Sequence, residues 1–452
     1  MREGSTWHRV RTAAGAPVDV ASLAAFRVLF GLVMLAAVVR MLTSGWIERL
    51  YEQPTFHFTY PGFGWVEAWP APGMYLHYAV LAVLAAMITV GAWTRLAAAA
   101  FALGFAYPQL VDVTNYLNHN VLAVLLAALL AVVPAGAAWS VDAWRRPSVR
   151  RRTMPAWCLW LIRFQVGVVY VGAGLAKMKV DWLGAGQPLG LWLAARTETP
   201  VVGPWLDEPA LALAMSWAAC LFDTTIVAWL AWRRTRVGAY LVLVGFHAVT
   251  GYFFNIGMFP LIMTAAATIF FAPSWPRRWI RAETPAGDAP PVRASRLLAT
   301  VLVVHVGLQL VLPLRHLVYP GDVLWNEDGM RLAWHVMIRE KHGSVVFVAR
   351  WPDGRRLEVA PHRYLDWRQE KEMAGQPDLI LQLARHVGAE LRAAGHADVA
   401  VHAETRVSLN GRAAVPLIDP AVDLLTVSDL GPRTGWVLPA PTGPAPRLRP
   451  RR

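Results

Sequence analysis

An amine, two imidazoles and several carboxamides interrupt otherwise apolar stretches of this chain, and such side chains can move protons or hold an oxyanion. Lys177 closes one apolar run inside YVGAGLAKMKVDW (170–182), with Asp181 and Trp182 just behind it. Asn118 and His119 fall in DVTNYLNHN (112–120), a longer polar break than a two-residue turn needs. His247 sits within a third run, FHAVTGYFFNIGMFP (246–260), which then breaks at Asn255, Gly257, Met258 and Pro260. An alkyl ammonium has a reference pKa near 10.4, and leaving water favours its neutral form, so a buried lysine can act as a general base. A fixed imidazole or carboxamide can donate to a developing oxyanion. Ionisable groups in lipid-embedded sequence are costly, which makes each of these, and Arg27, Arg163 and Asp223, a functional candidate by default.

Plainer readings compete with each of these. Lys177 at a helix end can snorkel to the interface, and Gly172 and Gly174 can serve close helix packing. His119 can cap a helix, and His247 can be a satisfied interior histidine. Arg27, Arg163 and Asp223 read best as structural intramembrane charges, paired with one another or with neighbours.

The elements that must position these residues are membrane helices. The chain has 452 residues, 56% hydrophobic and only 16% charged, with 22 Trp, whereas soluble domains carry roughly 25% charged residues. Apolar runs at 23–42, 75–93, 96–111, 121–134, 157–176, 209–232, 237–253, 257–271 and 297–312 predict about nine transmembrane helices. The net charge of +13 does not point to nucleic acid, because the arginines fall in particular short loops. The arm before the first run and the second, fourth, sixth and eighth loops hold the arginine clusters; the third and seventh loops hold no Lys or Arg. The positive-inside rule then places residues 1–22 in the cytoplasm and the C-terminal domain on the exoplasmic side. The first 20 residues lack a signal-peptide core and cleavage site, so the first helix is expected to stay as an anchor. Cys158 and Cys220 fall inside apolar runs and read as packing residues. No metal-ligand spacing is found.

Composition changes after Pro313. Residues 23–313 are expected to form the transmembrane catalytic domain, and 314–438 a small α+β domain, mostly β. Strands at 344–350 and 355–360 flank the turn residues Trp351, Pro352, Asp353 and Gly354. Pro377 opens a helix to about Ala394, and a strand at 398–410 meets the Asn410-Gly411 turn before a further strand through Ile418. The Pro- and Arg-rich segment 439–452 is expected to be disordered.

Taken in order, Phe26-Arg27, Asn118-His119, the 170–182 segment, Phe222-Asp223, His247 and Asn255-Ile256-Gly257-Met258-Phe259-Pro260 resemble the vitamin K-dependent γ-glutamyl carboxylase family. Its bacterial relatives with the horizontally transferred transmembrane domain are included in that likeness. Tyr319-Pro320-Gly321, Trp325, Trp334-His335-Val336-Met337 and Asp419-Pro420-Ala421-Val422-Asp423 extend it into the second domain. The resemblance implies an enzyme in which oxygenation of a reduced naphthoquinone (vitamin K or a menaquinol type) to its epoxide drives carboxylation of peptide glutamate. Dioxygen and carbon dioxide would be co-substrates, and no metal is implied. The family's base falls on Lys177 and its conserved-position histidine on His119, with Asn118, Asp181, Trp182, His247, Asn255, Met258, Trp334 and Arg339 supporting substrate or quinone. Two departures stand out: Ala176-Lys177 replaces a lysine pair, with Lys179 as a partial substitute, and the family's glutamate-handling histidine falls on Arg339. The implied partners are the lipid bilayer, a polyprenyl quinol and a Glu-containing peptide or protein, with a bacterial plasma membrane as the expected location. The competing functions are a quinol epoxidase without glutamate carboxylation and a non-enzymatic transporter or lipid-binding protein.

Overall fold

The computed structural model describes residues 6–280, 296–428 and 433–446. A helix lies over each of the nine apolar runs: α1 Ala21–Thr43, α2 Gly73–Val90, α3 Thr94–Val111, α4 Asn118–Val132, α5 Trp157–Ala176, α6 Pro209–Ala231, α7 Arg236–Phe253, α8 Phe259–Ala267 and α9 Arg296–Val311. Helices suit these runs because lipid offers no partner for backbone N–H and C=O groups, which must be satisfied within the segment. Five stretches are long and apolar enough to cross a bilayer by length and composition: α1, α2, α5, α6, and α9 with its continuation to Val318. Asn118–Val132 and Phe259–Phe270 are shorter apolar helices. The chain is thus a mostly helical membrane protein, and the helices alone support five crossings rather than nine.

Local sequence sets the breaks that matter for the site. Asp112 leaves helical geometry after α3, and its carboxylate accepts from the Thr114 N–H at 2.8 Å, capping the short turn at Val113–Asn115. Gly257 takes a positive φ of 58°, and Pro260 stands in the first turn of α8, where its missing N–H costs nothing.

After α9 the chain forms a three-stranded antiparallel sheet, β1 Lys341–Arg350, β2 Arg356–Val359 and β3 Ala400–Leu409, in the order β2-β1-β3. Arg350 pairs with Arg356 across the expected hairpin, and Gly354 takes φ 87° in its turn. Helices α10 Trp367–Ala374 and α11 Pro377–Ala393 pack on this sheet, burying Met373, Leu379, Ile380, Leu383 and Val387. Two expectations are corrected. The region is not mostly β, since α10 accompanies the foreseen α11, and the strand expected through Ile418 is reduced to isolated bridges, Val407 to Val415 and Ile418 to Val437. Of the segment expected to be disordered, 447–452 lies outside the described residues.

The two regions interlock. Phe58, Val113 and Ala176 from the helical region join the hydrophobic cluster of the C-terminal region. Gln382 exchanges hydrogen bonds with the Thr59 backbone at 3.0 and 3.1 Å, and Gln369 donates to the Phe56 carbonyl and to Asp112, both at 2.8 Å. These contacts fix the underside of the C-terminal region over the ends of α3, α4 and α5.

Candidate active site

Lys177 follows the last residue of α5 and turns inward, not toward the interface. Its side chain is 6% exposed, and Nζ lies 2.9 Å from Asp223 Oδ2 on α6. The ammonium also donates to the Val336 carbonyl at 3.2 Å and faces the Trp182 ring at 5.4 Å. The close approach of α5 and α6 that makes the pair depends on Gly174. A Cβ there would stand 2.5 Å from Thr224 Cγ2 and 2.8 Å from the Thr224 backbone nitrogen. Gly172 does the same for Trp334, whose Cβ would be 3.0 Å away. A buried ion pair repays its desolvation only with good geometry, and deleting one partner typically costs about 3–5 kcal/mol.

The pair forms part of the wall of a cavity of about 390 Å³ that also includes Tyr170, Trp182, Phe246 and His247. The Tyr170 hydroxyl lies 2.7 Å from His247 Nε2, and His247 Nδ1 is buried with no hydrogen-bond partner among the described residues. The rest of the lining is almost wholly apolar. Val242 and Val249, 60% and 46% exposed, stand at its edge on α7, the face that a bilayer would cover.

His119 lines a different cavity, of about 570 Å³, together with Asn118, Asn255 and Met258. Ile256, Phe259, Val336 and Met337 line both spaces and form the wall between them. Lys177 and His119 thus line two cavities that share a partition. Asn118 accepts from the Tyr116 hydroxyl at 2.9 Å and donates to the His335 carbonyl at 3.2 Å. Burial, then His316 and Lys179 nearby, push the His335 ring down to about 3.

Other expected site residues lie elsewhere. Asp181 is gripped by Arg412 at 2.6 and 2.7 Å and by Asn410 at 2.8 Å; burial opposes its ionisation, but these bonds prevail and hold it below the usual carboxylate range. It lines neither cavity and acts as a clamp between the helical region and the β3 turn. Trp182 lines the apolar cavity and donates to the Ser216 carbonyl at 2.8 Å. Trp334 is buried at a positive φ of 55° and lines neither cavity. Arg339 donates to Glu327 at 3.0 Å, a carboxylate shared with buried Lys341, so it also stands away from both cavities. Arg27 and Arg163 bind backbone carbonyls: Arg27 meets those of Ile88 and Thr89 at the end of α2 and that of Trp139, and Arg163 those of Ile269 and Phe271. Asp223, expected as a structural ion-pair partner, pairs with Lys177. Tyr170 was not singled out from the sequence, although it lies within the 170–182 segment that was.

A membrane protein with an inward-facing amine at an apolar cavity, roofed by an α+β region, is the class defined by these observations. Residues 16–275 match the HTTM domain model, and residues 294–443 match the model of the vitamin K-dependent gamma-carboxylase lumenal domain. The chain belongs to the vitamin K-dependent γ-carboxylase family. No solved structure matches the chain.

Proposed function

We propose that the chain is a membrane-integral γ-carboxylase-like enzyme that couples oxygenation of a reduced naphthoquinone to carboxylation of peptide glutamate. The observation that carries this reading is the buried Lys177 amine on the wall of an apolar cavity whose edge faces the bilayer. Family membership supports the same chemistry. The cavity fits an isoprenoid quinol: its walls are apolar, and its few polar atoms include one unpartnered imidazole nitrogen, Nδ1 of His247.

When bound, a reduced naphthoquinone supplies the electrons with which dioxygen yields an epoxide and a base strong enough to take a γ-proton from glutamate. With its own proton first passed to the Asp223 carboxylate 2.9 Å away, the neutral Lys177 amine accepts the first hydroquinone proton at Nζ, and Asp223 fixes its direction. His247, held by Tyr170, presents its free nitrogen to a quinone oxygen. His119 lies across the partition and serves as a donor to oxyanion character in its own cavity. Trp182 and Phe246 exclude water beside the amine.

The proposed topology has nine crossings, an N-terminal arm at 1–22 in the cytoplasm, a membrane catalytic domain at 23–313 and an exoplasmic domain at 314–438. What supports it is the one-sided distribution of arginine and the helix over every apolar run. A second reading, quinol oxygenation without glutamate carboxylation, is favoured by one fact: Arg339 is committed to Glu327 instead of lining a cavity.

The test is to supply the purified protein in detergent with reduced vitamin K, oxygen, labelled carbon dioxide and a Glu peptide. Epoxide with label fixed in the peptide is the expected result. Epoxide without label selects the second reading, and the absence of both overturns the proposal.

A further inference from the structure

Two spans end beside one another and leave a separate pocket, of about 410 Å³, between the helices and the C-terminal region. Helix α5 stops at Ala176, and the span that begins with α9 runs to Val318. Lys179, just past the first end, lines the pocket together with His316, Tyr319 and Asp322 at the second. The pocket therefore lies at the level where hydrocarbon gives way to headgroups. Aliphatic side chains beside it are bare: Val180 and Val318 are 81% and 80% exposed, and Leu314 and Leu317 are exposed as well. At the end of a span, lipid is what covers such a surface.

The charges in this pocket do not answer one another. Lys179 lines neither of the two cavities described above, and its ammonium has no hydrogen-bond or ion-pair partner among the described residues. Asp322, on the same wall, gives Oδ1 to the Leu324 N–H at 2.9 Å and leaves Oδ2 open. Arg412 comes near enough to feel that carboxylate, but Asp181 holds it at 2.6 Å. His316 is fixed by Nδ1 donation to the Pro313 carbonyl at 2.8 Å and by the His335 ring, with centroids 4.8 Å apart. A cation and an anion that share a pocket without meeting leave room for a ligand that carries both signs, and complementary potentials of this kind give specificity.

We propose that this pocket binds the headgroup of a phospholipid with a primary amine, its phosphate against Lys179 and the Tyr319 hydroxyl and its ammonium against Asp322. Both contacts are charge-assisted hydrogen bonds. The acyl chains lie along Leu314, Leu317 and Val318 and continue the lipid-facing surface of α9. An anionic headgroup without an amine would meet Lys179 but be opposed by Asp322. A choline headgroup has the right charges but no N–H to give the carboxylate. Bound there, the lipid ties the start of the C-terminal region to the bilayer beside the ends of α5 and α9.

Lipid retention tests it. The full chain is purified in detergent with equimolar phosphatidylethanolamine, phosphatidylcholine and phosphatidylglycerol of the same acyl chains, and the lipids it keeps are counted by native mass spectrometry. One charge contact at a half-open site corresponds to about fivefold in affinity. The wild type is expected to prefer phosphatidylethanolamine to each of the others by at least about that factor. Asp322→Asn keeps an oxygen to cap Leu324, so at an unchanged thermal midpoint it should bring phosphatidylethanolamine down to the level of phosphatidylcholine. Lys179→Gln should lower retention of both, and Lys179→Arg should restore part of it. Equal retention of the three lipids by the wild type overturns the proposal, as does a preference for phosphatidylglycerol. So does an undiminished preference in Asp322→Asn or unchanged retention in Lys179→Gln. Because neither epoxide nor carboxylation is measured, the result does not depend on the reading of the other two cavities.

Discussion

The two cavities share a wall but differ in how their polar atoms are satisfied. On the apolar side Lys177 is matched to Asp223, and Tyr170 to His247, leaving one imidazole nitrogen free. On the polar side Asn115 Nδ2 and Arg368 Nη2 are buried without a hydrogen bond, with the Asp366 carboxylate 3.9 Å from the latter. A buried charge can persist in an apolar site only when paired, whereas a site for a charged substrate must leave its donors open until the substrate arrives. The contrast suits one space for an uncharged quinol and one for an anion.

The strongest way to break the comparison is to unpair the apolar side. Asp223→Ala leaves the Lys177 ammonium buried alone and is expected to cost about 3–5 kcal/mol, read as a lowered midpoint in detergent unfolding; an unchanged midpoint would mean that the pair is not buried in the bilayer. Gly174→Ala drives a methyl group into Thr224 and forces α5 from α6, which costs about 1–3 kcal/mol. Its sharper reading is kinetic: separating Lys177 from Asp223 should slow epoxide formation more than it lowers stability, and equal losses would make Gly174 a packing residue alone. Tyr170→Phe removes the partner of His247 Nε2 and is expected to cost about 1 kcal/mol. If the midpoint and the quinol KM both stay at wild-type values, the tyrosine–histidine pair is not part of the quinone site.

Much of the helical region was legible because its signals are local. Every apolar run became a helix, and the Asn255-to-Pro260 string marked a real break, since Gly257 needs positive φ and Pro260 opens the next helix. In the C-terminal region the hairpin and the helix at Pro377 followed from turn and N-terminal chemistry. The capping box of α10, with Asp366 and Gln369 three residues apart, was present in the sequence but went unread. Long-range pairing was not legible. Lys177 and Asp223 are 46 positions apart, and nothing in either segment names the other. The same holds for Arg339, drawn away from the expected site by Glu327, and for the partition between the cavities, which is assembled from Ile256 and Phe259 at the start of α8 and from the distant Val336 and Met337. The pairing of Lys177 with Asp223 shows that an ionisable residue takes its role from its neighbours in space.

The most direct measurement is the rate of epoxide formation from reduced vitamin K and oxygen by the purified wild type and by Lys177→Ala. A general base contributes about 10²–10⁴-fold, so the variant should lose at least about a hundredfold in rate while keeping its fold. A variant that oxygenates the quinol as fast as the wild type would show that the amine paired to Asp223 is not the base.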